Sequence, residues 1–522
     1  MYTKIIMLSM IINKEIQQHV DAQGNNVYKL IISYTNKDGG ISYMKMDLPE
    51  SEMFKWVETN KNHADPPFAL KDKRTGKEIL DENGNPIYKQ WKSFNHKYVR
   101  RVSVPYNKMP DTRLNEIVDY WGELLDPLFE ANHPTTWFCD IEVDVTDEGF
   151  PKPEEALTPI NTIAITHFPE TIVFSRKNLT DAEIANIQKS ISEYSKITKD
   201  YKFEFKYFEN EYELLQAFIK FITPIPAITG WNFLGYDWLY IYNRCKIQNI
   251  PIECISPTGA FYPFKLNTKK STVYAQLPKH KIIYDYLVCY QTWDQTINPK
   301  ENDTLDFVAE KALGIKKVQH PWGFQEFYQD HFEEYVFYNA IDSILVEQID
   351  KVIKTASIWE MIASELRIDL NMAFSTITPT TMVMSHFIYN DYRVIQEKKF
   401  DDEVQGGYEG AFVWPTQPGI YKYIMGLDFA SLYPSVMREF QISSENFLFK
   451  NPNYTPKANE IKTVTGAVFR KDPNALIPAI LTEYFAKRKA AKWDRKNVDD
   501  IVEQYIEIYE RRTKTKYVEE QN

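Results

Sequence analysis

Apolar and acidic residues alternate through Thr136-Trp137-Phe138-Cys139-Asp140-Ile141-Glu142-Val143-Asp144. A period of two belongs to a β-strand, and it puts Asp140, Glu142 and Asp144 on one face with Cys139, Ile141 and Val143 on the other. Three carboxylates on one face repel one another unless a cation lies between them or the face is wet. Taken alone, the stretch reads equally well as a solvated edge strand. Further on, Pro224-Ile225-Pro226-Ala227-Ile228-Thr229-Gly230 leads into Trp231-Asn232-Phe233-Leu234-Gly235-Tyr236-Asp237. That pattern predicts a buried strand, a glycine turn and a helix holding Tyr240, Ile241 and Tyr242. Asp237 falls in the first turn of the helix, where negative charge suits the dipole. From Phe332 a period near 3.6 predicts a helix running past Ile353, with Ile341, Ile344, Leu345, Ile349 and Val352 on its apolar side. Tyr338 and Asp342, four apart, share one of its faces, as many ordinary exposed pairs also do.

The remaining pattern is coarser. Residues 1 to about 130 predict β-rich structure with hairpins, broken by turn clusters at residues 21–26 and 81–86. The second cluster resembles a calcium loop but lacks the acidic spacing and closing Glu, so it is read as a hairpin turn. Residues 261–289 read as strands, with a polar hairpin tip at residues 266–272. Residues 421–427 are rich in aromatic and β-branched types and predict a strand, followed by a helix through Arg438. Asp428 would then end a strand just before a turn of free N–H groups, either as a cap or as a metal carboxylate beside phosphate-binding amides. From Leu476 to Lys496 an apolar run passes into a basic helix. Arg488 and Lys492 lie on one face of it, suited to clamp a triphosphate or simply to be solvated. Residues 501–512 form an amphipathic helix in this reading.

A length of 522 residues suggests three or four domains at ~100–200 residues each. Net charge of -11 argues against a simple sticky nucleic-acid binder, but it suits an enzyme that holds cations with carboxylates. The four cysteines form no C-x-x-C pair and the nine histidines are scattered, which disfavours structural zinc and disulfides and points to a reducing cytoplasm. The apolar run near the start is too short to span a bilayer and has no cleavage site, so it is read as a strand and no membrane is involved.

In combination the acidic motifs gain meaning. Asp140-Ile141-Glu142, Asn232 with Asp237, and Tyr338 with Asp342 occur in this order and resemble the three exonuclease motifs of family B DNA polymerases. Asp428-x-x-Ser431-Leu432-Tyr433-Pro434-Ser435 resembles that family's first palm motif, and Gly407-Tyr408-Glu409-Gly410-Ala411-Phe412-Val413 its short signature upstream. The resemblance runs from about Thr135 to about Asn497. Within the family it is strongest to replicative enzymes of tailed bacteriophages, as at Gly149-Phe150-Pro151-Lys152-Pro153.

The resemblance implies a multidomain protein of α/β and α+β class. Residues 1–134, joined by 355–399, would form a β-rich N-terminal domain, and 135–354 an RNase H-like 3′→5′ proofreading exonuclease. Residues 400–475 would be the first part of the palm and 476–522 the start of the helical fingers. Asp140, Glu142, Asp237 and Asp342 would hold two Mg²⁺ or Mn²⁺ ions, to which hard carboxylate oxygens are suited. Tyr338 would orient the attacking water and Asn232 would position the substrate. Asp428 would bind the metals of nucleotidyl transfer, amides of Ser431, Leu432 and Tyr433 would contact the dNTP triphosphate, and Arg488 and Lys492 would hold it. The Tyr433 ring would exclude a 2′-OH. The Lys269-Lys270 hairpin would help move the primer strand between sites.

The family's later motifs, Asn-Ser-x-Tyr-Gly and Asp-Thr-Asp, are not among these residues. The expectation is therefore a split polymerase acting on primer-template and single-stranded DNA. A second chain would carry the rest of palm, fingers and thumb and, through them, the sliding-clamp contact. The expected place is the cytoplasm, of an infected bacterial host if the gene is a phage's. A standalone exonuclease with a vestigial palm, a non-catalytic DNA-binding replication subunit and the first part of a one-chain polymerase stand as alternatives.

Overall fold

A computed structural model describes residues 11–513 apart from 72–76, 95–96, 111–112, 115, 118–132, 146–148, 268–271, 294–301, 367, 375–376, 390–391, 395–414, 416, 428 and 430. The chain divides into two compact units, one made of residues 1–53 and 104–382, the other of 54–103 and 383–522.

In the first unit, strands Ile11–Val20, Asn26–Thr35 and Ile41–Asp47 form an antiparallel sheet. The first of them turns at the predicted cluster, where Asp21 Oδ1 accepts from the N–H groups of Gln23 and Asn25. The centre of the unit is a six-stranded mixed sheet. Its spatial order is Lys202–Tyr207, Glu170–Ser175, Ile160–His167, Thr136–Val143, Ala227–Thr229 and Ile282–Ile283. Strand Thr136–Val143 runs antiparallel to Ile160–His167 on one side and parallel to Ala227–Thr229 on the other. Three consecutive strands in antiparallel succession, continued by parallel strands on the far side of the first, give the expected RNase H-like arrangement, with Lys202–Tyr207 added at one edge.

Each face of this sheet has its own core. Cys139, Ile141 and Val143 pack with Phe218, Trp238 and Ile241 on one side, where helices Glu211–Ile222 and Asp237–Ile247 lie. Phe138 and Ala164 pack on the other side, against Ile341, Ile344 and Leu345 of the long helix Phe332–Ile353. The period-two pattern thus divides the strand between two interiors, and the acidic face is not a solvated edge.

Three local expectations in the first unit need correction. The long helix ends at Ile353, where Lys354 adopts a left-handed φ of 57°, and does not run on. Val352, assigned to its apolar side, is 49% exposed, and Ile353 takes the buried place instead. Residues 261–289 form a hairpin, Phe261–Asn267 with Thr272–Pro278, and the short strand Ile282–Ile283. From Tyr286 to Trp293, however, the chain is helical. Tyr286, Cys289 and Tyr290 fall at i, i+3 and i+4 and are all buried, so one apolar helix face outweighs their β preference. Lys269 and Lys270 lie outside the described residues.

In the second unit, strands Arg393–Val394, Lys92–Ser93, Tyr98–Ser103 and Phe54–Thr59 form one sheet over a small core of Phe54, Trp56, Val99 and Val394. The turn at residues 81–86 is a hairpin turn as expected, because Asp81 Oδ1 is occupied by the N–H groups of Asn83 and Asn85. Helix Leu432–Glu439 follows Ser431, and a 38-residue helix spans Leu476–Thr513 without a break. Residues 421–427 are not a strand. Nothing pairs with them among the described residues, and Tyr423, Ile424 and Leu427 are 101%, 78% and 87% exposed. A strand forms only where a neighbour takes its hydrogen bonds, and none does so among the described residues. Asp428 and the signature at residues 407–413 lie outside the described residues.

Candidate active site

The carboxylates collect where the central strand meets the long helix. Asp140 stands opposite Ala164 and Glu142 opposite Thr162 on the antiparallel neighbour. These small partners leave room for the helix to cross the sheet. Asp342 comes from the helix, and one ligand oxygen from each of Asp140, Glu142 and Asp342 lies within 4.8 Å of the other two. Asp140 is half-buried; Glu142 and Asp342 are buried. Asp144 does not join them. The strand ends at Val143, and the Asp144 carboxylate is taken by Arg176 at 3.2 Å and Asn161 at 2.8 Å.

Asp237 sits beside this cluster but outside the three-way group. The parallel neighbour pairs with the central strand only as far as Phe138. Beyond that point the Ile141 N–H needs another acceptor, and Asp237 Oδ1 supplies it at 3.0 Å from the start of its helix. The loop that delivers Asp237 is held in two ways. A Cβ on Gly230 would come within 2.2 Å of the Cys139 carbonyl oxygen, so only glycine lets the loop pass the central strand this closely. Buried Asp285 accepts from the Leu234 N–H through Oδ2 and from the Leu287 N–H through Oδ1, each at 3.0 Å. Gly230→Ala is therefore expected to lower stability by about 1–3 kcal/mol, as forced overpacking does, read as a drop in Tm. Asn232 lies on this loop with a left-handed φ of 60° and is exposed.

Two residues that the sequence did not single out complete the site. Lys317, in the loop after helix Leu305–Leu313, reaches Asp342 Oδ2 at 2.5 Å and lies 4.4 Å from the centroid of the Tyr338 ring. Asn339, fully buried, donates to Asp140 Oδ2 at 2.7 Å. Asn339 had a signal available, because it sits three residues before Asp342 and so on the same helix face. Lys317 had none, since only the tertiary fold brings its loop here.

Burial, and then the charge of Asp342, push the Asp140 carboxyl up to about 7. Burial followed by the Asp140 charge holds Glu142 and Asp237 well above the usual carboxylate range. Burial also raises Asp342, against the downward pull of Lys317 and Tyr338. At Lys317 burial acts to lower the pKa, but the charges of Asp342 and Asp140 outweigh it and hold the ammonium protonated. Several buried acids against one ammonium leave an excess of negative charge, and Asp342 Oδ1 has no partner among the described residues. Converging hard oxygens with unmet charge fit a divalent cation of the Mg²⁺ or Mn²⁺ type.

A family model for DNA polymerase family B, exonuclease domain, matches residues 116–306, and one for DNA polymerase family B matches residues 373–514. Together they cover well over half of the chain. The chain belongs to DNA polymerase family B. Its similarity to the DNA-directed DNA polymerase of Escherichia phage RB69 is 28% identity over 410 residues, 72% of this chain and 44% of the relative. For the DNA-directed DNA polymerase of Enterobacteria phage T4 the identity is 26% over 423 residues, 74% of this chain and 45% of the relative. The DNA polymerase delta catalytic subunit of Caenorhabditis elegans is 28% identical over 316 residues, 56% of this chain and 28% of the relative. The chain thus spans less than half the length of these family B relatives. The exonuclease match stops at residue 306, yet Lys317, Tyr338 and Asp342 beyond it complete the site.

Asp428 lies outside the described residues, and the other residues expected on the polymerase side are placed as follows. Ser431 precedes helix Leu432–Glu439 with a left-handed φ of 52°. Leu432 and Tyr433 are exposed. Arg488 and Lys492 are also exposed, on the long terminal helix, and make no ion pair among the described residues. Among the described residues, no helix is long and apolar enough to cross a membrane.

Proposed function

We propose that this chain is a 3′→5′ exonuclease that removes nucleotides, mispaired ones preferentially, from the 3′ ends of DNA. The convergence of Asp140, Glu142 and Asp342 within 4.8 Å supports this reading most directly. Asp140, Glu142 and Asp342 would hold divalent ions, with Asp237 beside them. A bound pair of Mg²⁺ or Mn²⁺ supplies a water activated for attack and charge stabilisation at the departing 3′ oxygen. The protein's own groups do the rest. The Tyr338 hydroxyl, held well above its ordinary pKa first by burial and then by the Asp342 charge, stays protonated and orients water by hydrogen bonding. The Lys317 ammonium places fixed positive charge beside the carboxylates, facing the charge that develops on phosphate. Asn232, on its exposed turn, contacts the substrate strand. A frayed 3′ end reaches such a site more easily than a paired one, because less unpairing is needed.

On the polymerase side we take Asp428 as a metal carboxylate of nucleotidyl transfer. Ser431, Leu432 and Tyr433 offer amides to a dNTP, Tyr433 excludes the 2′-OH, and Arg488 and Lys492 bind the triphosphate. The bare apolar surface at residues 421–427 favours completion of the palm by further residues packed against it. A second chain bearing the remaining palm, fingers, thumb and clamp contact fits that need. The domain limits given above (1–134 with 355–399, 135–354, 400–475 and 476–522) are proposed with it, as is action in the cytoplasm. The 522-residue chain is expected to degrade single-stranded DNA from the 3′ end with Mg²⁺ but not to extend a primer. Extension by this chain alone, followed on a labelled primer-template, would sink the second-chain reading and leave the exonuclease reading standing.

A further inference from the structure

Asn339 is fully buried, 0% exposed, on the long helix. Its Nδ2 donates to Asp140 Oδ2 at 2.7 Å and also approaches the Asp140 backbone carbonyl at 3.3 Å. One amide therefore spans side chain and main chain of Asp140 and restricts the rotation between them. The amide's own Oδ1 is buried with no partner among the described residues. An unmatched buried acceptor costs about 1–3 kcal/mol, which an apolar residue of similar size would avoid.

The donor is what offsets that cost. Asp342 is held by a cation, Lys317, which takes up part of its charge. Asp140 is held by a neutral amide, which fixes direction without neutralising the carboxylate. Its other oxygen accepts no hydrogen bond among the described residues and remains available beside Glu142 and Asp342. We infer that Asn339 is a positioning residue of the metal site, fixing Asp140 in the orientation in which it shares a divalent cation with Glu142 and Asp342. The inference rests on the exonuclease reading and adds to it a group that touches neither metal nor DNA.

The test uses the whole chain carrying Asn339→Leu, which keeps the branching and heavy-atom count and removes the donor. Asn339→Ala, which removes the donor without adding a branched side chain, carries the test if leucine is not accommodated. Mn²⁺ binding is measured by titration calorimetry at pH 8, and degradation of single-stranded DNA is followed across Mn²⁺ concentrations. Affinity is expected to fall by about 10–100-fold, the range for losing the partner of a metal ligand. The Mn²⁺ needed for half-maximal degradation should rise in step, while the rate at saturating Mn²⁺ falls far less. A folded variant with unchanged Mn²⁺ affinity and unchanged metal dependence overturns the inference. Failure of the unsubstituted chain to bind Mn²⁺ overturns the exonuclease reading itself, so the two failures are distinguishable.

Discussion

Replacing Asp140 and Glu142 together by alanine is expected to lower 3′-end degradation by at least about a thousandfold, a loss of ~4 kcal/mol of transition-state stabilisation. The measurement is release of terminal nucleotides from labelled single-stranded DNA with Mg²⁺. The same variant should also be more stable than the parent when divalent ions are chelated. In the parent, the carboxylates repel one another across 4.8 Å or less, with Lys317 as the counter-charge seen among the described residues. Alanine at two of them removes desolvation and repulsion together, and a rise in Tm in EDTA is expected at pH 8. This pairing of lost activity with gained stability separates a metal site from an ordinary buried polar network, in which removing partners destabilises. Undiminished degradation by the double variant would refute the site.

Divalent-ion affinity is expected to weaken by about tenfold between pH 8 and pH 6. Asp140 is pushed up to about 7, and Glu142 and Asp237 are raised well above their ordinary values, chiefly by burial. A metal ligand must be ionised, so at pH 6 binding first has to expel the Asp140 proton, which is largely gone at pH 8. The sign for stability runs the same way. These acids bind protons more tightly folded than unfolded, so the metal-free fold loses stability as pH rises from about 4, the unfolded carboxylate range, through their folded values. A bound cation removes that penalty, so the Tm increase on adding Mn²⁺ should be larger at pH 8 than at pH 6. Calorimetry in buffers of different ionisation enthalpy should show net proton release near neutral pH. A pH-independent affinity with no proton release would contradict the raised carboxyls.

The site was legible in the sequence where chemistry and local periodicity coincide. Asp140 and Glu142 share a strand face by period two, and Tyr338 and Asp342 a helix face by four-residue spacing. Both follow from backbone geometry alone. Asp237 was placed at the start of its helix from the turn before it. Its bond to the Ile141 N–H was not readable, because that depends on where a neighbouring strand stops pairing. Lys317 was invisible for a related reason: its loop has no period, and its role exists only in three dimensions. Tyr286 to Trp293 shows the opposite case. The aromatic and β-branched residues suggest a strand, yet the i, i+3, i+4 spacing of Tyr286, Cys289 and Tyr290 already marks a helix. Residues 421–427 have strand composition without a strand, because composition cannot supply the neighbour that a sheet requires.

The wide separation of the site residues along the chain bears on how the protein comes into being. During synthesis, Asp140, Glu142 and Asp237 leave the ribosome well before Lys317 and Asp342. The sheet can form first, but it then carries buried acids with neither their helix nor their ammonium. Non-local contacts of this kind are the slow ones in folding, since a long loop must close before they form. Docking of Phe332–Ile353 over the sheet therefore both closes the core around Phe138 and Ala164 and brings Asp342 to Asp140 and Glu142. On the exonuclease reading, a nascent or partly folded chain lacks an assembled site until that late step.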